Sequence, residues 1–173
     1  MIVQFSGHAT IFSALEPGAC FAVEFGGKTQ IGVKSRDESG GRTVDSCVLI
    51  AASSGESPRL LPERPRAEWP VLALPEAIFQ PSVDPAYVQT ETAATIEAGT
   101  LLLVADRWLI TVIDADGTAL VDIKSGAVFR GVKDPFRVTF RAWRIVQKGL
   151  GDEYDTICRY TVKGQSKVGF ARS

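Results

Sequence analysis

At 173 residues the chain has the length of one domain or of two small fused ones, and 45% hydrophobic against 23% charged residues excludes a disordered composition. A net charge of −1 gives no overall pull towards nucleic acid or a membrane surface, so any such attraction has to come from a local patch. The longest apolar runs, such as 101–105, are too short to span a bilayer, and the N-terminus lacks the basic start and long apolar stretch of a secretory signal, so a cytoplasmic location is expected.

Taken in chain order, a first strand is expected at 2–5, ahead of a turn that carries Gly7 and the single histidine, His8. The segment Leu15-Glu16-Pro17-Gly18-Ala19-Cys20-Phe21-Ala22-Val23 then reads as an aliphatic residue, Glu, a small residue, Gly and a strand. Strands at 21–25 and 29–33 flank Gly26-Gly27, which suits a tight primed hairpin turn. Gly27-Lys28-Thr29 matches the tail of a phosphate-binding loop. That loop needs an earlier glycine where this chain has Ala22, and it must open a helix where a strand follows here, so the hairpin is the reading retained. A β-branched, apolar strand at 43–51 follows the loop at 37–41.

Seven of the nine prolines fall between Pro58 and Pro85, together with Ser53-Ser54-Gly55 and the charged run Glu63-Arg64-Pro65-Arg66. Proline removes backbone donors and biases the preceding residue towards extended backbone, so neither a long helix nor a central strand is expected there. This stretch reads as an extended, partly polyproline-like connector. Trp69, Val71, Leu72, Leu74, Ile78, Phe79 and Tyr87 give it apolar residues with which to pack on the flanking parts.

Beyond it, Ile96-Glu97-Ala98-Gly99-Thr100-Leu101-Leu102-Leu103-Val104 matches the segment that starts at Leu15 at a constant offset, and Val44-Asp45 and Val121-Asp122 fall at similar places further on. One duplicated β unit accounts for both halves with one set of turns. In the second half, strands at 109–113 and 118–123 flank Asp116-Gly117, a short strand at 128–130 follows Ser125-Gly126, and 154–162 alternates. The segment Phe136 to Lys148 admits two readings. As a helix it has Asp134 as N-cap, Pro135 at the first position and Gly149 as stop. As a strand its alternation breaks at Trp143, which requires a bulge. Its β-branched and aromatic content favours the strand, paired with 154–162 through the turn at 149–152. The fold expected is mainly β: two similar small β-sandwich or barrel units from an internal duplication (1–55 and 91–173), joined by a Pro-rich connector (56–90), with at most one or two short helices.

Chemistry is scarce along this chain. Cys20, Cys47 and Cys158 are widely spaced in apolar surroundings and read as buried reduced thiols. One histidine and scattered cysteines supply no paired spacing for a transition metal, and no G-x-S-x-G elbow presents a serine to His8, which reads as a turn or partly buried structural residue. Asp114-Ala115-Asp116-Gly117 opens like a calcium loop but lacks the terminal Glu, so it reads as a turn, with Asp122 the one residue that would add a weak surface cation site. Glu16 and Glu97 hold equivalent places. Each is read as fixing its own turn rather than as half of a carboxylate pair. No catalytic residue, metal or cofactor is assigned.

The charge distribution carries more information. Residues 84–122 hold seven acids (Asp84, Glu91, Glu97, Asp106, Asp114, Asp116 and Asp122) against Arg107, and residues 123–148 hold seven bases (Lys124, Arg130, Lys133, Arg137, Arg141, Arg144 and Lys148) against Asp134. The plain reading is mutual neutralisation across a sheet. The functional reading makes Arg130, Arg137, Arg141, Trp143 and Arg144 a partner or ligand surface, since arginine forks pair with carboxylates and phosphates. The function expected is therefore that of a non-catalytic interaction or assembly protein acting through β surfaces, as a homo-oligomer or part of a larger particle, with a protein partner or self-association and no membrane. A β-barrel for small anionic ligands is the alternative. Nucleic-acid binding through 130–148 comes third, since the acidic companion region opposes it.

Overall fold

The structure, a computed structural model, describes residues 7–38, 42–50, 56–61, 67–91, 96–130, 137–148 and 153–162. These residues are mainly β. The strands are β1 (His8–Ile11), β2 (Cys20–Phe25), β3 (Lys28–Asp37), β4 (Val44–Ile50), β5 (Arg59–Leu60), β6 (Pro70–Ala73), β7 (Ile78–Pro81), β8 (Val88–Glu91), β9 (Leu101–Val104), β10 (Arg107–Asp114), β11 (Gly117–Asp122), β12 (Val128–Phe129), β13 (Arg137–Phe140), β14 (Ala142–Lys148) and β15 (Tyr154–Thr161). Short 3₁₀ turns occur at Phe12–Ala14 and Pro85–Tyr87. The strand expected at 2–5 and the turn at 149–152 lie outside the described residues.

One sheet runs β1-β6-β2-β3-β4-β5-β10-β9-β13-β8, with β11 added on β10 and β12 on β11; a second sheet runs β15-β14-β7. Local turn chemistry sets the hairpins. Gly26 and Gly27 both take positive φ, +61° and +71°, so Phe25 faces Lys28 across the primed turn expected from the glycine pair. The second hairpin closes one step earlier than its Asp-Gly pair implies: Asp114 faces Gly117 around Ala115-Asp116, and Gly117 already belongs to β11.

Two turns have matching hydrogen bonds. Gly18 (φ +88°) donates to the Lys34 carbonyl at 2.8 Å, Ala19 to Glu16 at 3.0 Å, and Lys34 back to Ala19 at 2.9 Å. Gly99 (φ +91°) donates to the Thr111 carbonyl at 2.7 Å, Thr100 to Glu97 at 3.1 Å, and Thr111 back to Thr100 at 2.9 Å. Past each turn a distant part of the chain takes over the strand edge. Arg36 donates to Gly126 at 2.8 Å beside a parallel bridge to Ala127, and Ile113 donates to Pro58 at 2.8 Å beside a parallel pairing with Arg59.

The main core is built from the inward residues of both halves, among them Ile31, Val33, Val48, Ile50, Leu101, Ile110, Val112 and Val121, closed by Phe140, Trp143, Ile145 and Tyr160. Burying each such aliphatic side chain contributes about 1.5–3 kcal/mol before entropy is counted. A second cluster (Phe12, Leu15, Phe21, Val23, Cys47, Leu49, Val71, Ala73) covers the opposite face of β2–β4, and a smaller one (Leu102, Leu109, Leu120) covers that of β9–β11. This is why β2 opens on a continuous apolar run, Cys20-Phe21-Ala22-Val23, and β4 ends on one, Cys47-Val48-Leu49-Ile50. Gly32 leaves room for the Phe21 ring, which would lie 2.4 Å from a Cβ placed there, whereas the smaller cluster packs Leu102 with Leu109.

The proline-rich stretch departs from expectation. It supplies four strands, and two of them, β5 and β6, sit inside the sheet order rather than at its margins. Its prolines are spent where a missing donor does little harm: Pro70 begins β6, Pro81 ends β7, and Pro58 precedes β5 and contributes only its carbonyl. Residues 137–148 are extended, as their composition favoured, but the break falls at Arg141, where the chain leaves one sheet for the other. The bulge lies between Ile145 and Val146 of β14, opposite Ile157 on β15. Trp143 therefore continues a regular strand.

Candidate binding face

The β15-β14-β7 sheet presents one face to the core and one outward. Inward lie Phe79, Trp143, Ile145, Cys158 and Tyr160. Register places Ile78 and Gln80 of β7, Arg144, Val146 and Lys148 of β14, and Tyr154, Thr156 and Arg159 of β15 on the other face. On this outer face Ile78 (46% exposed) stands opposite buried Val146 and Tyr154 (54% exposed) stands opposite Lys148 at one end, and the other end is basic. At the basic end Arg144 stands directly opposite both Gln80 and Arg159, and its Nε donates to Gln80 Oε1 at 2.7 Å. Both arginines line an open groove of about 480 Å³ with Gln80, Ser82, Thr161, Trp143 and Tyr160, and no acidic residue is among the described residues lining it. Like charges directly opposite across a strand pair repel.

The five residues singled out from sequence do not form one patch. Arg130 is taken up by acids: it reaches Asp37 through two nitrogens at 3.1 and 2.7 Å, and Asp114 at 3.1 Å. Arg141 pairs with Glu97 at 2.8 Å. Arg137 faces Glu91 in the β13–β8 register and lies on the strand before the break, so the shared face with Arg141 is interrupted. Trp143 is 3% exposed, donates Nε1–H to the Gly99 carbonyl at 2.7 Å and stacks on Tyr160 at 5.0 Å. Its indole body is core, and only its margin reaches the groove. Arg144 alone of the five is an exposed basic group on the groove, and its neighbour there is Arg159, which the basic block at 123–148 excluded. The signal that would have found Arg159 is the cross-strand register. Two ion pairs join the acid block to the base block, Arg130–Asp114 and Arg141–Glu97.

Other motifs resolve into structure. Asp122 is buried, and its carboxylate accepts from the Lys124 and Ser125 N–H groups at 2.8 and 3.1 Å, fixing the turn into β12. Glu97 is committed to Arg141, and the carbonyls of Glu16 and Glu97 close their respective turns. His8 is exposed at the start of β1, not partly buried in a turn. Lys34 was not singled out, yet it is 2% exposed: its ammonium donates to the carbonyls of Phe12, Ser13 and Leu15, lies 3.2 Å from Asp45 and sits over the Phe12 ring. It ties the first 3₁₀ turn to β3. Among the described residues no group of three or more His, Cys, Asp or Glu side chains is placed to hold a metal, and no helix is long and apolar enough to cross a membrane.

Burial pushes the thiols of Cys20 and Cys47 up to about 12 and that of Cys158 to about 11. An unfolded thiol ionises near pH 8.5–9. Between that pH and the folded values the native state holds protons that the unfolded chain has released, so stability is intact below about pH 9 and falls as pH rises towards 11–12. Denaturant unfolding at pH 8 and pH 10 is expected to show a loss of about 1 kcal/mol or more at the higher pH. A thiol reagent at pH 8 should label all three cysteines only as fast as the protein unfolds. Rapid labelling of native protein would contradict their burial.

Compared with family models, with curated proteins and with solved structures, the chain matches none.

Proposed function

We propose that this protein is a non-catalytic interaction module that enters an assembly through the outer face of the β7–β14–β15 sheet. The observation that carries the reading is the composition of that face: exposed Ile78 and Tyr154 beside Arg144 and Arg159, with no acid among the described residues lining the basic end. Aromatic residues and arginine at a partly apolar centre are the mixture that protein interfaces enrich. The partner is a protein surface of complementary character, apolar with an acidic margin, on another protein or on a further copy of this chain. Light scattering and cross-linking across salt and concentration test this. The full chain is expected to form an oligomer or to carry a partner, and Tyr154→Lys or Arg144→Gln/Arg159→Gln is expected to release it. A strict monomer under all conditions, with no co-purifying partner, overturns the reading.

The nucleic-acid reading of 130–148 is weakened because Arg130 and Arg141 face carboxylates. The anionic-ligand reading gains from Arg144 and Arg159.

On architecture, we read the halves 1–55 and 91–173 as copies of one β unit. The matching bonds at Gly18 and Gly99, the reciprocal edges at Arg36 and Ile113, and Asp37 and Asp114 at corresponding strand ends all support this. The pairings β3–β4–β5–β10–β11–β12 lead back to β3, which favours the barrel over the sandwich. In this scheme β5, from the segment 56–90, completes the first copy as β12 completes the second. Arg130 then bridges equivalent acids of the two copies.

A further inference from the structure

We infer that the basic end of this face is a subsite for one dianionic phosphoryl group, a phosphate monoester on a side chain of the protein partner; the inference rests on the binding-face reading above. Arg144 and Arg159 are cross-strand partners, which places their Cβ atoms about 4.5–5.5 Å apart and brings both guanidinium groups within reach of one anion. Four of the described bases, Lys34, Arg36, Arg130 and Arg141, lie within 4.0 Å of a carboxylate. This pair instead faces a groove whose other polar lining is Gln80, Ser82 and Thr161. Gln80 accepts from Arg144 Nε, which holds that guanidinium on the groove side of β14 while its terminal nitrogens remain as donors.

The donor inventory selects the ligand. Two arginine forks and the Ser82 and Thr161 hydroxyls offer more N–H and O–H groups than the two oxygens of one carboxylate accept, whereas a phosphate monoester brings three terminal oxygens and close to two negative charges. A bound dianion also converts the like-charge repulsion of the pair into attraction on both sides. The exposed side chains of Ile78 and Tyr154 on the same face favour a peptide chain as the carrier over a nucleic acid, whose diesters carry one charge each.

Calorimetry of the full chain with a phosphoserine peptide, its unphosphorylated counterpart and phenyl phosphate tests this, together with thermal unfolding in phenyl phosphate against chloride and acetate at equal ionic strength. The phosphoserine peptide should bind at least about ten-fold more tightly than its counterpart, and phenyl phosphate should raise Tm where the matched salts do not. Arg144→Gln or Arg159→Gln should each weaken phosphopeptide binding about ten-fold, while Arg107→Gln, on an exposed position of β10, leaves it unchanged. Equal effects of phosphate, acetate and chloride overturn the phosphoryl assignment. If Arg144→Gln/Arg159→Gln still dissolves the assembly in that case, the binding face survives without it. Tighter binding of a single-stranded oligonucleotide than of the phosphopeptide also overturns the proposal.

Discussion

Trp143→Ala is expected to cost about 3–5 kcal/mol, the range for removing a large buried aromatic side chain. The indole joins three parts of the molecule. Its Nε1–H bonds the Gly99 carbonyl, its ring stacks on Tyr160 of β15 at an interplanar angle of 21°, and Phe79 of β7 lies 5.3 Å away. Tyr160 in turn donates to the Ala98 carbonyl, and burial raises its phenol above the ordinary value. The three-stranded sheet is therefore fastened to the larger one through the turn at Gly99. Trp143→Phe keeps a ring but leaves the Gly99 carbonyl without its buried donor, at a cost of about 1–3 kcal/mol. Urea unfolding of both variants checks the order. A loss below about 1 kcal/mol for Trp143→Ala would mean that the second sheet is not held this way.

Gly18→Ala is expected to be comparably severe, about 3 kcal/mol or more, although it adds one methyl group. The residue needs φ +88°, which costs an L-residue about 1–3 kcal/mol, and its new Cβ would lie 2.1 Å from the Lys124 carbonyl oxygen. That oxygen is main chain in the β11–β12 turn, itself fixed by Asp122, so relief requires moving the backbone. Gly26→Ala is the control. It also sits at positive φ, but nothing lies within 4 Å of its Cβ, so about 1 kcal/mol is expected. Thermal unfolding of the two variants separates conformational strain from collision. Equal losses would show that the close approach to Lys124 contributes nothing.

Much of the mainly β character was legible because it resides in local signals. The Gly26-Gly27 turn and the strand β4 depend on near neighbours and period, whereas the alternation expected over 154–162 is broken by the extra residue at Ile157, which puts Tyr154 and Thr156 on the face opposite Cys158 and Tyr160. Errors arose where distant chain decides. The ban on a central strand in 56–90 followed from proline's missing N–H, but β5 and β6 pair through residues that keep theirs. Arg159 was missed for a related reason. Counting back from Lys148 opposite Tyr154, a regular ladder sets Arg144 against Cys158, and only the extra residue at Ile157 brings the second arginine into line. The fate of Arg130 was equally hidden, since its partner Asp37 stands 93 residues away and no periodicity links them.

The reciprocal edges at Arg36 and Ile113 bear on how the chain is made. When the far end of β3 leaves the ribosome, the strand that will cover it has not been synthesised, so the nascent N-terminal half carries an open ladder until residues near 127 emerge. Such late partnerships slow the search for the native state and prolong the time in which a chaperone, or the same ladder on a neighbouring polysome-bound chain, finds the vacancy first.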